Sequence, residues 1–322
     1  MELSKELRKF NVQLAVLIFT LALYLLLQSP IIGILIALEI FAFVGLEVKE
    51  GIKHHGVKHE IVDTVIALVL ALVIWYGSSF LLNTQSPLSA VVSCSMLPNL
   101  QRGDFVIVQG TEPKVYDISF SQSQSDDFFN GDVSVTSEKF GFNKIVKGSM
   151  YSYCTFNINR DSICRSFVSD PYEFKETRGP MDFYYGSCQI KLNGTDLSQP
   201  CLERISFDKK IYLTNFSNDV IVYQPSKGDL FALSGDIVHR AFFRITSPSG
   251  EHYLIRGDNN PVLDIQIYDY INNLGNHPVS AQQIKGKVLA RVPLLGYFKL
   301  FISGFFGEPQ QCKTQLSFVH VQ

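Results

Sequence analysis

Three separated segments carry residue types that could perform acyl transfer. The segment Ser93-Cys94-Ser95-Met96-Leu97-Pro98 offers two hydroxyls and a thiol ahead of a proline. A serine hydroxyl keeps its proton at neutral pH, so it attacks a carbonyl only with an adjacent base and with donors for the developing oxyanion. Asp236-Ile237-Val238-His239-Arg240 supplies a base within a β-like run. An imidazole titrating near ~6.5 can take a hydroxyl proton and hand it to a leaving amine. Arg256-Gly257-Asp258-Asn259-Asn260-Pro261-Val262-Leu263-Asp264 supplies two carboxylates, Asp258 and Asp264, either of which could orient the imidazole and stabilise its protonated form. Taken singly, the three read as a loop, a structural histidine and an Asx-rich turn. Taken in chain order they compose a candidate triad. Cys94 is the rival nucleophile, because a thiol is the readier attacking group. On an extended backbone, however, a site organised for Ser95 would turn its neighbour to the opposite face.

Such a triad needs a scaffold, and the charge distribution points to one at a membrane. The chain of 322 residues has 28 basic and 30 acidic side chains, a formal net charge of -2 that gives no broad electrostatic case for nucleic acid as a partner. Only 18% of residues are charged and 46% are hydrophobic, against about 25% charged in an average soluble domain. Glu39 is the only charge in residues 11–46, and residues 64–101 contain none. Three apolar runs, residues 11–27, 31–46 and 61–82, are expected to be transmembrane helices. The first two are a little short of the ~20 residues a span needs and are joined at Gln28-Ser29-Pro30, where proline naturally opens a helix. Lys5, Arg8 and Lys9 precede the first run, and Lys49, Lys53 and Lys58 follow the second. By the positive-inside rule both stretches are cytoplasmic, and the third span delivers everything after Asn83 to the outer face. Glu39 is costly in lipid and should face protein or water, either as a hydrogen bond to a neighbouring helix or in a functional role. His54, His55 and His59 read as a solvated loop rather than as metal ligands.

Beyond residue 83 the texture is β. Runs rich in Val, Ile, Phe and Tyr at 105–108, 210–214, 220–223 and 241–245 alternate with Gly, Asn, Asp, Ser and Pro clusters, and no long amphipathic helix interrupts them. Cys154, Cys164, Cys188 and Cys201 lie together on the expected outer side, where disulfides persist. Their spacing fits two disulfides better than a zinc site, and the connectivity stays open among three arrangements. Asn193-Gly194-Thr195 and Asn215-Phe216-Ser217 match the glycosylation acceptor pattern.

In combination, Ser93-Cys94-Ser95-Met96-x-Pro98, Arg102-Gly103-Asp104, Ile237-Val238-His239-Arg240, Gly257-Asp258-Asn259-Asn260 and Gly286-Lys287-Val288 near Pro293 resemble type I signal peptidase of the archaeal and endoplasmic-reticulum branch. The resemblance covers residues 91–108 and 228–299. It implies a mostly β catalytic domain that removes signal peptides from exported preproteins at the outer membrane face, with small residues recognised before the cut. It makes Ser95 the nucleophile and His239 the general base, where the bacterial branch uses Lys. Asp264 falls where the branch's catalytic Asp is expected, with Asp258 the remaining alternative. By similarity, the Ser93 hydroxyl joins the Ser95 amide in the oxyanion hole. Two positions depart from the pattern: Cys94 stands where Gly is usual, and Leu263 where the first of two adjacent Asp residues is common.

The expected architecture is therefore a multi-pass cell-membrane protein: three N-terminal transmembrane helices within residues 1–83, followed by a mostly β, extracytoplasmic catalytic domain resembling signal peptidase. That domain comprises residues 84–110 and 227–300. A large β-rich insert spans 111–226, shaping access to the site or simply stabilising the domain. Residues 301–322 form a membrane-surface segment and tail. The expected partners are signal peptides of preproteins and membrane lipid, with the protein-export machinery as a candidate. No metal or organic cofactor is needed for this chemistry. Two other readings stay open, a catalytically silent membrane receptor or assembly subunit and a processing peptidase for a narrow set of surface-protein precursors.

Overall fold

The computed structural model describes residues 2–27, 30–192, 195–214, 216–293, 296–303 and 310–318. Asn193 and Asn215, of the two glycosylation sequons, lie outside them. The chain opens with helices α1 (Glu2–Leu27), α2 (Pro30–His55) and α3 (Val57–Leu81). Pro30 begins α2, where its missing N–H costs nothing. Gly56, at φ 79°, separates α2 from α3 in a conformation that a side chain would resist.

The expectation of three membrane spans is corrected here. Among the described residues one helix, α3, is long and apolar enough to cross a membrane, and the apolar part of α1 is the shorter Val12–Tyr24. The reason lies in the charges inside the helices. The first turns of α1 carry Glu2, Lys5, Glu6, Arg8 and Lys9, while α2 carries Glu39 midway and Glu47, Lys49, Glu50 and Lys53 near its end. The helices extend the apolar runs with charged turns, and neither offers an uninterrupted apolar stretch of the required ~20 residues. Glu39 meets a neutral partner on the neighbouring helix: the Thr20 hydroxyl donates to its carboxylate at 2.7 Å.

Two sheets follow. The first runs in the order Leu88–Ala90, Phe105–Gln109, Ile284–Val292, Val220–Tyr223, Ile237–Ser247, Gly250–Arg256, Val279–Ser280, with Tyr116–Ser119 pairing parallel to Ile237–Ser247. Phe105–Gln109 shows period-two burial, with Val106 and Val108 fully buried. The second sheet runs Phe142–Val146, Val133–Ser137, Lys175–Arg178, Met181–Leu192, Thr195–Phe207, Lys210–Leu213. Two strands from the 111–226 stretch, Tyr116–Ser119 and Val220–Tyr223, thus belong to the first sheet. One core joins both sheets, packing Phe128, Phe167, Phe183 and Tyr185 with Phe242, Phe243, Leu254 and Leu263.

The C-terminal segment divides between two surroundings. The helix Tyr297–Ile302 sets the Tyr297 ring edge-on to Tyr24 of α1, with centroids 5.6 Å apart. Thr314–Phe318 instead adds an antiparallel strand to Met181–Leu192, with Leu316 opposite Ile190, so this part of the tail lies on the second sheet. Three disulfides close the fold: Cys154–Cys164, Cys188–Cys201 and Cys94–Cys312. The last ties the tail to the segment containing Ser95.

Candidate active site

Ser95 stands in a run of bends and turns after Leu88–Ala90, rather than on a strand. Buried Cys94 and Met96 anchor that turn on either side of it. The Asn259 amide donates to the Ser95 carbonyl at 2.7 Å, and the Asn259 side chain donates to the Cys94 carbonyl at 3.0 Å. Asn259 also reaches the tail, donating to the Thr314 carbonyl at 2.9 Å and accepting from the Leu316 amide at 2.6 Å. One side chain therefore binds both the nucleophile turn and the C-terminal strand. Gly257 allows this approach, since a Cβ there would lie 2.6 Å from the Ser95 carbonyl oxygen.

His239 comes from Ile237–Ser247, in register opposite Ile221. Its Nε2 lies 3.0 Å from Ser95 Oγ and its Nδ1 2.6 Å from Asp264 Oδ2. The tautomer that satisfies both contacts carries the proton on Nδ1, donates it to the carboxylate, and leaves Nε2 to accept from the serine hydroxyl. Ser95, His239 and Asp264 are respectively 9%, 4% and 2% exposed, so these two hydrogen bonds lie at reduced dielectric. Asp264 opens a short 3-10 turn, Asp264–Gln266. The Tyr223 hydroxyl donates to its Oδ2 at 3.1 Å, and the Asn276 amide to its backbone carbonyl at 3.0 Å. Burial, with the Asp264 charge alongside, pushes the Tyr223 hydroxyl well above its ordinary range, so it stays a proton donor at neutral pH.

The two carboxylates left open by the sequence have different surroundings. Asp258 accepts a bidentate pair from Arg240, Nε and Nη2 each at 2.7 Å, and a third bond from Asn99 at 2.7 Å. It is 1% exposed and braces the loop beneath Ser95. Asp264 is the carboxylate at the imidazole. Ser93 Oγ lies 3.0 Å from Ser95 Oγ, the side from which a second hydroxyl could meet a developing oxyanion. Cys94 is oxidised onto Cys312, and this bond, rather than strand alternation, removes its thiol as a rival nucleophile.

A cavity of about 190 Å³ opens beside Ser95, lined by Asn259, Asn260 and Pro261 of the first sheet's loop, Tyr151, Ile190 and Gln199 of the 111–226 stretch, and Thr314 and Leu316 of the tail. Sequence reasoning missed Tyr223, the linking role of Asn259, and the Cys94–Cys312 bridge. Asn259 sat inside a quoted motif without an assigned role. Tyr223 ended an unremarkable strand, and no spacing signal connects residues 94 and 312. Among the described residues, no group of three or more His, Cys, Asp or Glu side chains is arranged to hold a metal ion. No protein-family model matches this sequence, and no curated protein is significantly similar to it.

Proposed function

We propose that this protein is a membrane-tethered serine endopeptidase that removes signal peptides from exported preproteins at the outer membrane face. The observation that carries the reading is the buried hydrogen-bonded chain from Ser95 Oγ through His239 to Asp264. Its geometry suits acyl transfer. As Oγ attacks the scissile carbonyl, His239 Nε2 takes its proton and Asp264 stabilises the resulting imidazolium. The Ser95 amide and Ser93 hydroxyl would meet the oxyanion, a role implied by the resemblance to signal peptidases. The imidazolium protonates the leaving amine as the C–N bond breaks. His239 then deprotonates a water, whose attack releases the acyl group and restores the hydroxyl.

The tether in this reading is α3, which ends at Leu81, shortly before the nucleophile turn. A protease so placed reaches polypeptides emerging at the membrane surface, among which signal peptides fit the resemblance. The cavity beside Ser95 would receive the residues before the cut, small ones as the resemblance to signal peptidases implies. Substrate profiling would separate general signal-peptide removal from processing of a narrow set of surface-protein precursors. In detergent, the wild-type protein is expected to cleave a preprotein at its signal-peptide junction. Ser95→Ala and His239→Ala should each abolish cleavage at normal protein levels. Unchanged cleavage in either variant would refute the assignment.

A further inference from the structure

The 111–226 stretch contains a second concavity, distinct from the one at Ser95. Two eight-residue helices, Met150–Asn157 and Ser162–Ser169, are capped by Ser149 and Asp161 and joined by the Cys154–Cys164 disulfide. Between them and Thr195–Phe207 runs a groove of about 220 Å³, lined mostly by the apolar Cys154, Ile158, Phe167, Val168 and Pro200, with Tyr151, Thr155 and Gln199 as its polar members and no charged side chain. Phe167 and Cys154 form a buried floor, whereas Ile158 and Val168 stand 37% and 40% exposed at the rim.

This groove adjoins the cleft. Tyr151 and Gln199 line both cavities, and the consecutive residues Gln199 and Pro200 pass from one into the other. An extended polypeptide advances ~3.3 Å per residue with alternate side chains facing the same wall. A chain that passes Ser95 and stays against this wall therefore reaches the groove within a few residues. Resting on the peptidase reading above, we propose that the groove is a second peptide subsite, which takes one large aliphatic or aromatic side chain of the polypeptide being cut, a few residues from the scissile bond. The shared wall argues for the substrate as occupant, and the uncharged, mostly apolar lining sets the chemistry of the side chain it accepts.

The test is a series of peptides identical except for one Leu, moved through the positions on both sides of the scissile bond in an Ala and Ser background. At one position Leu should raise wild-type kcat/KM about ten-fold over Ala, mainly through KM. Val168→Asp and Ile158→Asp should each bring that ratio to about one while leaving cleavage of the Leu-free peptide within about two-fold, because neither side chain touches the Ser95 cavity. The milder Val168→Ser should give an intermediate ratio and guards against a folding defect in the Asp variants. A Leu preference that is absent everywhere, or that survives both Asp substitutions, would overturn the subsite. Fluorescence anisotropy of the same labelled peptides on the Ser95→Ala protein separates this inference from the peptidase reading. If the wild type cleaves nothing, Leu-dependent binding lost in Val168→Asp still supports the groove, and Leu-independent binding overturns it.

Discussion

Exchanging each carboxylate of the site for its amide separates the chemistry from the scaffold. In Asp264→Asn, the position of Oδ2 faces two groups that can accept, His239 Nδ1 and the Tyr223 oxygen, while Oδ1 is buried with no hydrogen-bond partner among the described residues. The amide nitrogen is thus drawn to the Oδ2 position, where it donates to Nδ1 and forces the imidazole proton onto Nε2. An Nε2–H cannot accept the Ser95 proton, and the imidazolium also loses its counter-charge. Together these effects should lower kcat/KM by about 10³–10⁴-fold, or about 4–5.5 kcal/mol of transition-state stabilisation. The fold should persist, because the substitution is nearly isosteric. Asp258→Asn should behave in the opposite way. It breaks the buried bidentate pair with Arg240 and leaves that guanidinium uncompensated, at a cost of about 3–5 kcal/mol in stability. Steady-state kinetics on a peptide substrate, beside thermal unfolding followed by circular dichroism, reads both. An Asp264→Asn protein with near wild-type kcat/KM, or an Asp258→Asn protein of unchanged stability, would refute the division of roles.

Three further outcomes follow from particular contacts. The double variant Cys94→Ala with Cys312→Ala should retain cleavage that still depends on Ser95, reduced about ten-fold in kcat/KM because the nucleophile turn loses its anchor to the tail, and should melt earlier. Complete loss of cleavage in this folded variant, together with cleavage retained in Ser95→Ala, would return the thiol to consideration. Gly257→Ala should cut kcat at least ten-fold by pushing a Cβ into the Ser95 carbonyl, and equal kcat would show that the turn has slack. Glu176 is fully buried beneath the Tyr185 hydroxyl, and burial holds its carboxyl above the ordinary range. The native state therefore keeps a proton that the unfolded chain has released, and stability falls as pH rises from the unfolded carboxylate pKa through the raised native one. Denaturant titration should show that fall in wild type and a flatter profile in Glu176→Gln. An identical profile in both would remove Glu176 as its source.

What could be read from the sequence differs by residue. Ser95 and His239 were singled out because acyl transfer restricts residue types tightly, Asp264 was put ahead of Asp258 only by the resemblance to signal peptidases, and the structure brings Ser95, His239 and Asp264 together. The strand at 105–108 was legible as a run of β-branched and aromatic residues, Phe-Val-Ile-Val, whereas the alternating burial it adopts leaves no trace in an all-apolar run. Residue types and spacing alone do not choose between Asp258 and Asp264, since both lie in one turn-rich segment and only the partner of each, Arg240 or His239, tells them apart. Nor was the Cys94–Cys312 pair, which depends on a tail strand docking 218 residues away in sequence. The membrane-span expectation went wrong because it extended short apolar runs into flanking turns without weighing the charges those turns contain.

The central claim is that His239 makes the Ser95 hydroxyl an attacking group, and covalent labelling tests it most directly. A serine-directed acylating probe, followed by intact-mass and peptide mass spectrometry, should place a single adduct on Ser95 of the wild-type protein. The adduct should vanish in Ser95→Ala and form at least about 10³-fold more slowly in His239→Ala. Labelling that is equally fast without the imidazole, or that falls on another side chain, would contradict it.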